Sequence, residues 1–269
     1  MPAALCVLAF FGASIGGAWS ASILRVCSDP DNLPFSNEKG EGFENKLAEL
    51  IADRLGQTLE YTWFDESTGD APNTVGEDAC DLVMGYAQGT GLIEDSNPYY
   101  YTSYVLITRA SDADLNGVET LSDPRLKSKR IGVFARTPPM SILALHGLIE
   151  NAKPFEALSS ESQSKAAEEM VEEIVSGRLD AGVLWGPVGG YYAEAAPMPL
   201  SVTPLVKERA GPTTFYGITL GIRPNEPQFK HEINKVLAEN QRDINVILRD
   251  YNVPILNREG EVIAAGESQ

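Results

Sequence analysis

The stretch Ile23-Leu24-Arg25-Val26-Cys27-Ser28-Asp29-Pro30-Asp31-Asn32 decides the fold, because a short apolar strand stops there in an Asp-Pro loop. Downstream, Phe43, Leu47, Leu50, Ile51 and Leu55 recur at helical spacing, and Gly56 stands where a helix stops. Residues 59–64 are aromatic and β-branched enough for a strand, and residues 81–85 and 101–108 supply two more. Strand, helix, strand, short connection, strand is the order of a parallel α/β unit.

A second unit follows. Residues 130–134 read as a strand, and Thr137-Pro138 opens a helix with a side-chain oxygen at the cap and proline in the first turn. Ala166, Met170, Val171, Ile174 and Val175 mark a further helix ending at Ser176-Gly177, and residues 180–184 a strand. After a strand at 215–222, one last helix carries Phe229, Ile233, Val236, Leu237, Ile244, Ile247 and Leu248 on one face. The chain crosses between units near 107–110 and near 217–221. If the final strand and helix return to the first unit, two lobes joined by two strands enclose a hinged cleft. The expected division is 21–108 with 218–257 for one lobe, 109–217 for the other, and a tail at 258–269.

Residues 3–18 carry no charge and are rich in Ala, Leu, Phe, Gly and Val, a run too short and Gly-rich for a membrane span. Small residues at Ala18 and Ser20 suit signal-peptidase cleavage after Ser20, so residues 1–20 read as a signal peptide of an exported, periplasmic protein with no membrane insertion afterwards. The 269 residues are 43% apolar with a net charge of −17, which argues against nucleic acid and anionic membranes as partners. Two histidines and three cysteines, none in a CxxC or HxxxH spacing, argue against a metal or haem site. Cleavage leaves Cys27 and Cys80, which either form a disulfide or stay as two buried thiols. Cys27 ends one predicted strand and Cys80 starts another, so parallel neighbours would hold the thiols at opposite ends.

Several segments resemble the type II periplasmic solute-binding proteins: Leu24-Arg25-Val26 before an Asp-Pro loop, Gly42-Phe43-Glu44-Asn45-Lys46-Leu47, Cys80-Asp81-Leu82-Val83, Asn97-Pro98-Tyr99-Tyr100 and Gly177-Arg178-Leu179-Asp180-Ala181. The fold so implied is α/β and two-lobed, with a hinged cleft. A narrower match runs from Arg25 through Asn37, then Gly40 to Lys46 and Cys80 to Gly85. It is similar to the J-type (XoxJ/MxaJ-like) accessory proteins of quinoprotein methanol dehydrogenases, in particular the lanthanide-associated branch. That resemblance implies a non-catalytic protein assisting assembly or activation of the dehydrogenase, with its cytochrome c as a further candidate partner, and a chain that is monomeric alone. It supplies no catalytic residues.

In open α/β lobes ligands sit outside the carboxyl ends of the strands. Those ends present Asp29 and Asn32, Tyr86 and Gln88, Arg136 and Thr137, and Trp185, with Tyr216 nearby. Amino-acid receptors of this superfamily clamp the ligand carboxylate with an arginine shortly before the Pro-Tyr-Tyr segment; this chain has no Lys or Arg between Arg54 and Arg109. Where such receptors meet the ammonium with an aspartate stands Trp185-Gly186-Pro187, and Pro138 and Pro139 remove two amide donors from the helix that would face an anion. The tyrosines at 99–104 read chiefly as core or hinge packing. Trp185, beside a Gly-Pro turn, is the best candidate anchor for a polypeptide segment. Arg136 is either a cleft cation or a surface arginine paired with an acid.

Enzyme readings find no constellation. The serines lack a histidine at a suggestive spacing, residues 186–190 lack the Lys-Ser/Thr ending of a P-loop, and Asp29 and Asp31 read as turn formers. No cofactor is expected and no metal-ligand spacing is visible. The alternative to the accessory role is a substrate receptor of an ABC importer for a small neutral solute.

Overall fold

The computed structural model describes residues 22–65, 79–89 and 93–264. The expected signal peptide at 1–20 and the end of the expected tail lie outside the described residues. The first half runs β1 (Ile23–Ser28), a two-stranded hairpin of β2 (Asp31–Asn32) and β3 (Ser36–Asn37), α1 (Phe43–Leu55), β4 (Thr58–Trp63), β5 (Leu82–Ala87), β6 (Glu94–Asp95) and β7 (Tyr100–Arg109). The second half runs β8 (Ile131–Phe134), α2 (Pro138–Leu145), β9 (Ala152–Phe155), α3 (Ser160–Val175), β10 (Ala181–Trp185), α4 (Gly186–Glu194), β11 (Leu200–Pro204), β12 (Phe215–Ile222), α5 (Pro227–Glu239) and α6 (Gln241–Asp250).

Ten strands form one hydrogen-bonded sheet, eight of them in the order β4-β1-β5-β12-β7-β10-β8-β9, with β11 paired to β7 and β6 to β12 off that path. β7 belongs to both lobes. Its residues Tyr100 to Ser103 pair with β12, whereas Tyr104 to Thr108 pair with β10, the partner changing between Ser103 and Tyr104. The crossing therefore falls a few residues earlier than the 107–110 read from the sequence, and its companion falls at Thr214–Phe215, where Tyr104 N donates to Thr214 O. The chain returns to lobe 1 through β12, α5 and α6, whose Leu220, Ile233 and Leu248 join Leu24, Val26, Phe43, Leu47 and Ile51 in one buried cluster. Lobe 2 buries one cluster on each side of its sheet: Val105, Ile107, Met170, Ile174 and Leu184 under α3 and α4, and Leu106, Ile131, Val133, Ile142 and Val183 on the other face.

The two lobes repeat one local device at the amino ends of their parallel strands. Arg25 N donates to Asp81 Oδ2 (2.7 Å), Arg25 Nη2 meets Asp81 Oδ1 (3.0 Å), and Asp81 N donates back to Arg25 O (2.8 Å). In lobe 2, Arg130 N donates to Asp180 Oδ2 (2.8 Å), Arg130 Nη2 to Asp180 Oδ1 (2.8 Å), and Asp180 N to Arg130 O (2.9 Å). The hydrogen bonds from Arg130 hold the Asp180 carboxyl down at about 2.

Three expectations are corrected. The single last helix is two, because Asn240 leaves helical geometry (φ −116°, ψ 18°) and its side chain caps Val236 O at 2.8 Å while receiving Arg54 Nε at 2.7 Å. The Gly-Pro turn after Trp185 is instead the start of α4, with Pro187 in the first turn. Its glycines hid the helix by their poor propensity, and packing explains them: a Cβ on Gly190 would lie 1.9 Å from Asn252 O, and one on Gly186 2.5 Å from Ser103 O. Third, Thr137 does not cap α2 through its side chain; its hydroxyl donates backward to Phe134 O at 2.7 Å.

Cys27 and Cys80 are bonded to each other, with Cα atoms 5.6 Å apart. β1 and β5 are parallel neighbours as expected, yet the thiols are not at opposite ends, because Cys80 precedes β5 in a segment lying alongside β1 and β4. Asp81 N reaches Arg25 O, and Ala79 O accepts from Thr62 Oγ1 at 2.9 Å. The disulfide packs with Val83, Phe64, Tyr86 and Ile93 away from the main core.

Candidate functional site

At the carboxyl ends of the lobe 2 strands a cavity of about 660 Å3 opens between the lobes, lined by Ala87, Tyr104, Phe134, Ala135, Arg136, Thr137, Ala157, Leu158, Gln163, Trp185, Val188 and Tyr216. Its centre is an aromatic cluster. Trp185 ends β10, and its ring meets Tyr104 of β7 edge-on at 5.2 Å and Tyr216 of β12 at 5.6 Å. The register puts them together, since Trp185 pairs with Tyr104 across the antiparallel β10–β7 ladder. Trp185 is partly buried against the cores of both lobes. Tyr216 donates its hydroxyl to Thr213 O at 2.9 Å. Burial pushes both phenols up, so Tyr104 and Tyr216 stay neutral at physiological pH.

Among the described residues that line it, the cavity carries one cation. Arg136 turns the chain from β8 into α2 with φ +62°, a conformation L side chains rarely adopt. Its guanidinium meets Glu156 Oε2 at 3.3 Å, and both side chains are about two-thirds exposed, so this pair is weak. Arg136 thus lines the cleft and is at the same time paired with a surface acid. Pro138 and Pro139 start α2 beside it, without the amide donors a carboxylate would use. Leu158 stands on the rim at 71% exposure, an apolar side chain held to water.

Four of the eight residues selected from sequence, Arg136, Thr137, Trp185 and Tyr216, line this cavity together. The other four do not. Asp29 is buried, with Oδ1 accepting from Asp31 N (2.9 Å) and Oδ2 from Ser160 Oγ (2.6 Å), so its carboxylate serves structure. Asn32 is buried in the hairpin. Tyr86 packs against the disulfide, and Gln88 lines a separate depression with Tyr101, Phe215 and Arg258. Within the tyrosine run, Tyr99 and Tyr100 are buried in the core while Tyr104 faces the cavity. Alternation along β7 does not single out Tyr104, because Tyr100 shares its face and is buried. Leu158 and Gln163 gave no signal either, because β9, which delivers the chain to them, contains Pro154 and only four residues.

Among the described residues no group of three or more His, Cys, Asp or Glu side chains is placed to hold a metal ion. No described helix is long and apolar enough to cross a membrane.

The family model of bacterial extracellular solute-binding proteins, family 3, matches residues 24–252. The protein MoxJ of Methylorubrum extorquens AM1 is 29% identical over 251 residues, covering 88% of this chain and 82% of that protein. The crystal structure of the periplasmic binding protein XoxJ from Methylobacterium extorquens AM1 superimposes with a TM-score of 0.73 at 36% identity, over 87% of this chain and 100% of that one. MxaJ from Methlophaga aminisulfidivorans MPT shares the fold, with a TM-score of 0.75 at 24% identity over 87% of this chain and 100% of its own. The chain belongs to the bacterial extracellular solute-binding proteins of family 3, within the J-type group typified by XoxJ.

Proposed function

We propose that this chain is an exported, periplasmic accessory protein that binds a quinoprotein methanol dehydrogenase, of the lanthanide-dependent type, and assists its assembly or activation by binding rather than catalysis. The observation that carries this reading is the cavity wall: a Tyr104–Trp185–Tyr216 cluster with one cation that is already paired. Among the described residues of that wall a zwitterionic amino acid would find no bidentate clamp and no anion-binding helix start. Large aromatics with polar edges suit a polypeptide segment, which brings its own apolar side chains and satisfied backbone.

The net charge of −17 supports electrostatic steering toward a basic patch on the dehydrogenase. Raising salt to a few hundred millimolar is expected to slow association at least several-fold; an unchanged on-rate removes the steering component. The reading itself is tested by isothermal titration of the mature protein against apo and holo forms of its organism's methanol dehydrogenase, with a panel of small neutral solutes alongside. Binding that favours the apo form, with a silent panel, is the expected result. A saturable signal from one solute and none from either dehydrogenase form would make the protein an importer's receptor instead.

A further inference from the structure

Solute receptors of hinged architecture close when ligand joins the lobes. Here the chain itself supplies direct bonds between the lobes. The loop and hairpin at 28–37 leave lobe 1 and reach the start of α3 in lobe 2. Asp29 Oδ2 accepts from Ser160 Oγ at 2.6 Å, with both residues buried, and Ser164 Oγ donates to Leu33 O at 3.2 Å. Phe35 packs against the cores of both lobes. A charge-assisted bond shielded from water is roughly twice as strong as a neutral one. Further along the same seam the rings of Tyr191 (α4) and Tyr251 stack at 6.4 Å, and Gly190 lets Asn252 O approach α4. None of these residues lines the 660 Å3 cavity, so these contacts between the lobes lie apart from the aromatic wall.

We infer that the segment 29–37 is a built-in latch that holds the two lobes at one separation in the free protein, so that the aromatic cavity is a preformed groove and not the jaw of a closing trap. Asp29 and Leu33 thereby act as positioning residues for a site they do not touch. The latch concerns the isolated protein and stands or falls without any partner. Its consequence for the groove rests on the proposed function: a groove of fixed width selects an inserted segment presented by a larger protein over a small solute that lobe closure would engulf.

The test is electron–electron distance spectroscopy on the isolated mature protein with its disulfide intact, with spin labels at Glu232→Cys in lobe 1 and Glu150→Cys in lobe 2. Both label sites are exposed. The wild-type latch is expected to give one narrow distance distribution. Ser160→Ala combined with Ser164→Ala is expected to lengthen the mean distance and broaden the distribution. Alanine is well tolerated in both helical positions, and the α3 cap itself is Ser159, so the fold persists. Asp29→Asn, which keeps an acceptor for Ser160, is expected to lie between the two. A wild-type distribution that is broad or two-peaked overturns the inference. So does a double variant whose distribution matches the wild type. Either failure leaves titration against the dehydrogenase unaffected, which separates this inference from the proposed function.

Discussion

The two lobes agree at the amino ends of their strands and part company at the carboxyl ends. Arg25–Asp81 and Arg130–Asp180 make the same set of main-chain and side-chain bonds, one in each lobe. At the other end, lobe 1 spends Asp29 and Asn32 on contacts inside the protein, while lobe 2 leaves Arg136, Thr137 and Trp185 on an open wall. Strand ends in this architecture are therefore potential sites, and a side chain becomes available for ligand only if packing between the lobes has not already claimed it. Under the proposed function, lobe 1 and the inferred latch would set the shape of the groove, and lobe 2 with the crossing strands would supply its exposed wall.

That division can be broken most forcefully at the disulfide. Replacing Cys27 and Cys80 together by Ser removes the constraint on a loop with a separation of 53 residues, which is expected to cost up to about 4 kcal/mol of stability on the chain-entropy model. Denaturant titration checks it, and a loss below about 1 kcal/mol would mean that the lobe 1 strand end does not depend on the bond. Next in size is Gly190→Ala. The added methyl group must displace Asn252 O, and overpacking of this kind costs about 2 kcal/mol. Thermal unfolding should show the loss, and a neutral result would mean that the seam beside α4 yields easily.

Trp185→Ala probes the recognition side. It is expected to weaken binding of the dehydrogenase at least about tenfold, the scale of a central aromatic anchor. Because Trp185 also packs on both cores, the check includes Arg136→Gln, which sits on the same wall at the surface. Arg136→Gln should weaken binding a few-fold and leave the melting temperature within experimental error. Equal affinity in both variants would move the interface elsewhere.

The smallest effect is the acid dependence of the shared strand anchor. Hydrogen bonds from Arg130 hold Asp180 at about 2, below its ordinary 3.8. Its contribution is therefore complete above about pH 5 and is lost as pH falls through about 2. Discounted for the exposure of the pair, this amounts to about 1 kcal/mol. Asp180→Asn should flatten the stability profile between pH 5 and pH 2 by that amount and leave its shape at neutral pH unchanged.

The sequence made the alternation of strands and helices legible because the buried faces repeat with the right periods. The α1 helix, Phe43–Leu55, and β12, Phe215–Ile222, fall where periodicity and flanking residues put them. The α4 helix did not announce itself, since Gly186, Gly189 and Gly190 depress local propensity for the sake of close packing that only the tertiary structure reveals. The break at Asn240 was invisible for a related reason: the apolar face continues across it. Half of the eight candidates chosen by the rule that ligands sit at strand carboxyl ends line the cavity. Asp29 misled because a loop aspartate poised for ligand and one bonded to another lobe have the same sequence. The Cys27–Cys80 geometry escaped because the entry to β5 runs beside β1 and not along its own strand axis.

Whether the wall built by β8, β10 and the crossing strands receives a segment of the dehydrogenase can be read from hydrogen–deuterium exchange of the protein with and without the apo enzyme. Exchange is expected to slow at residues 134–137, 157–163, 185–188 and 216, with the latch at 29–37 equally protected in both states. Protection confined to other surfaces, with the cleft residues exchanging at their free rates, would contradict it.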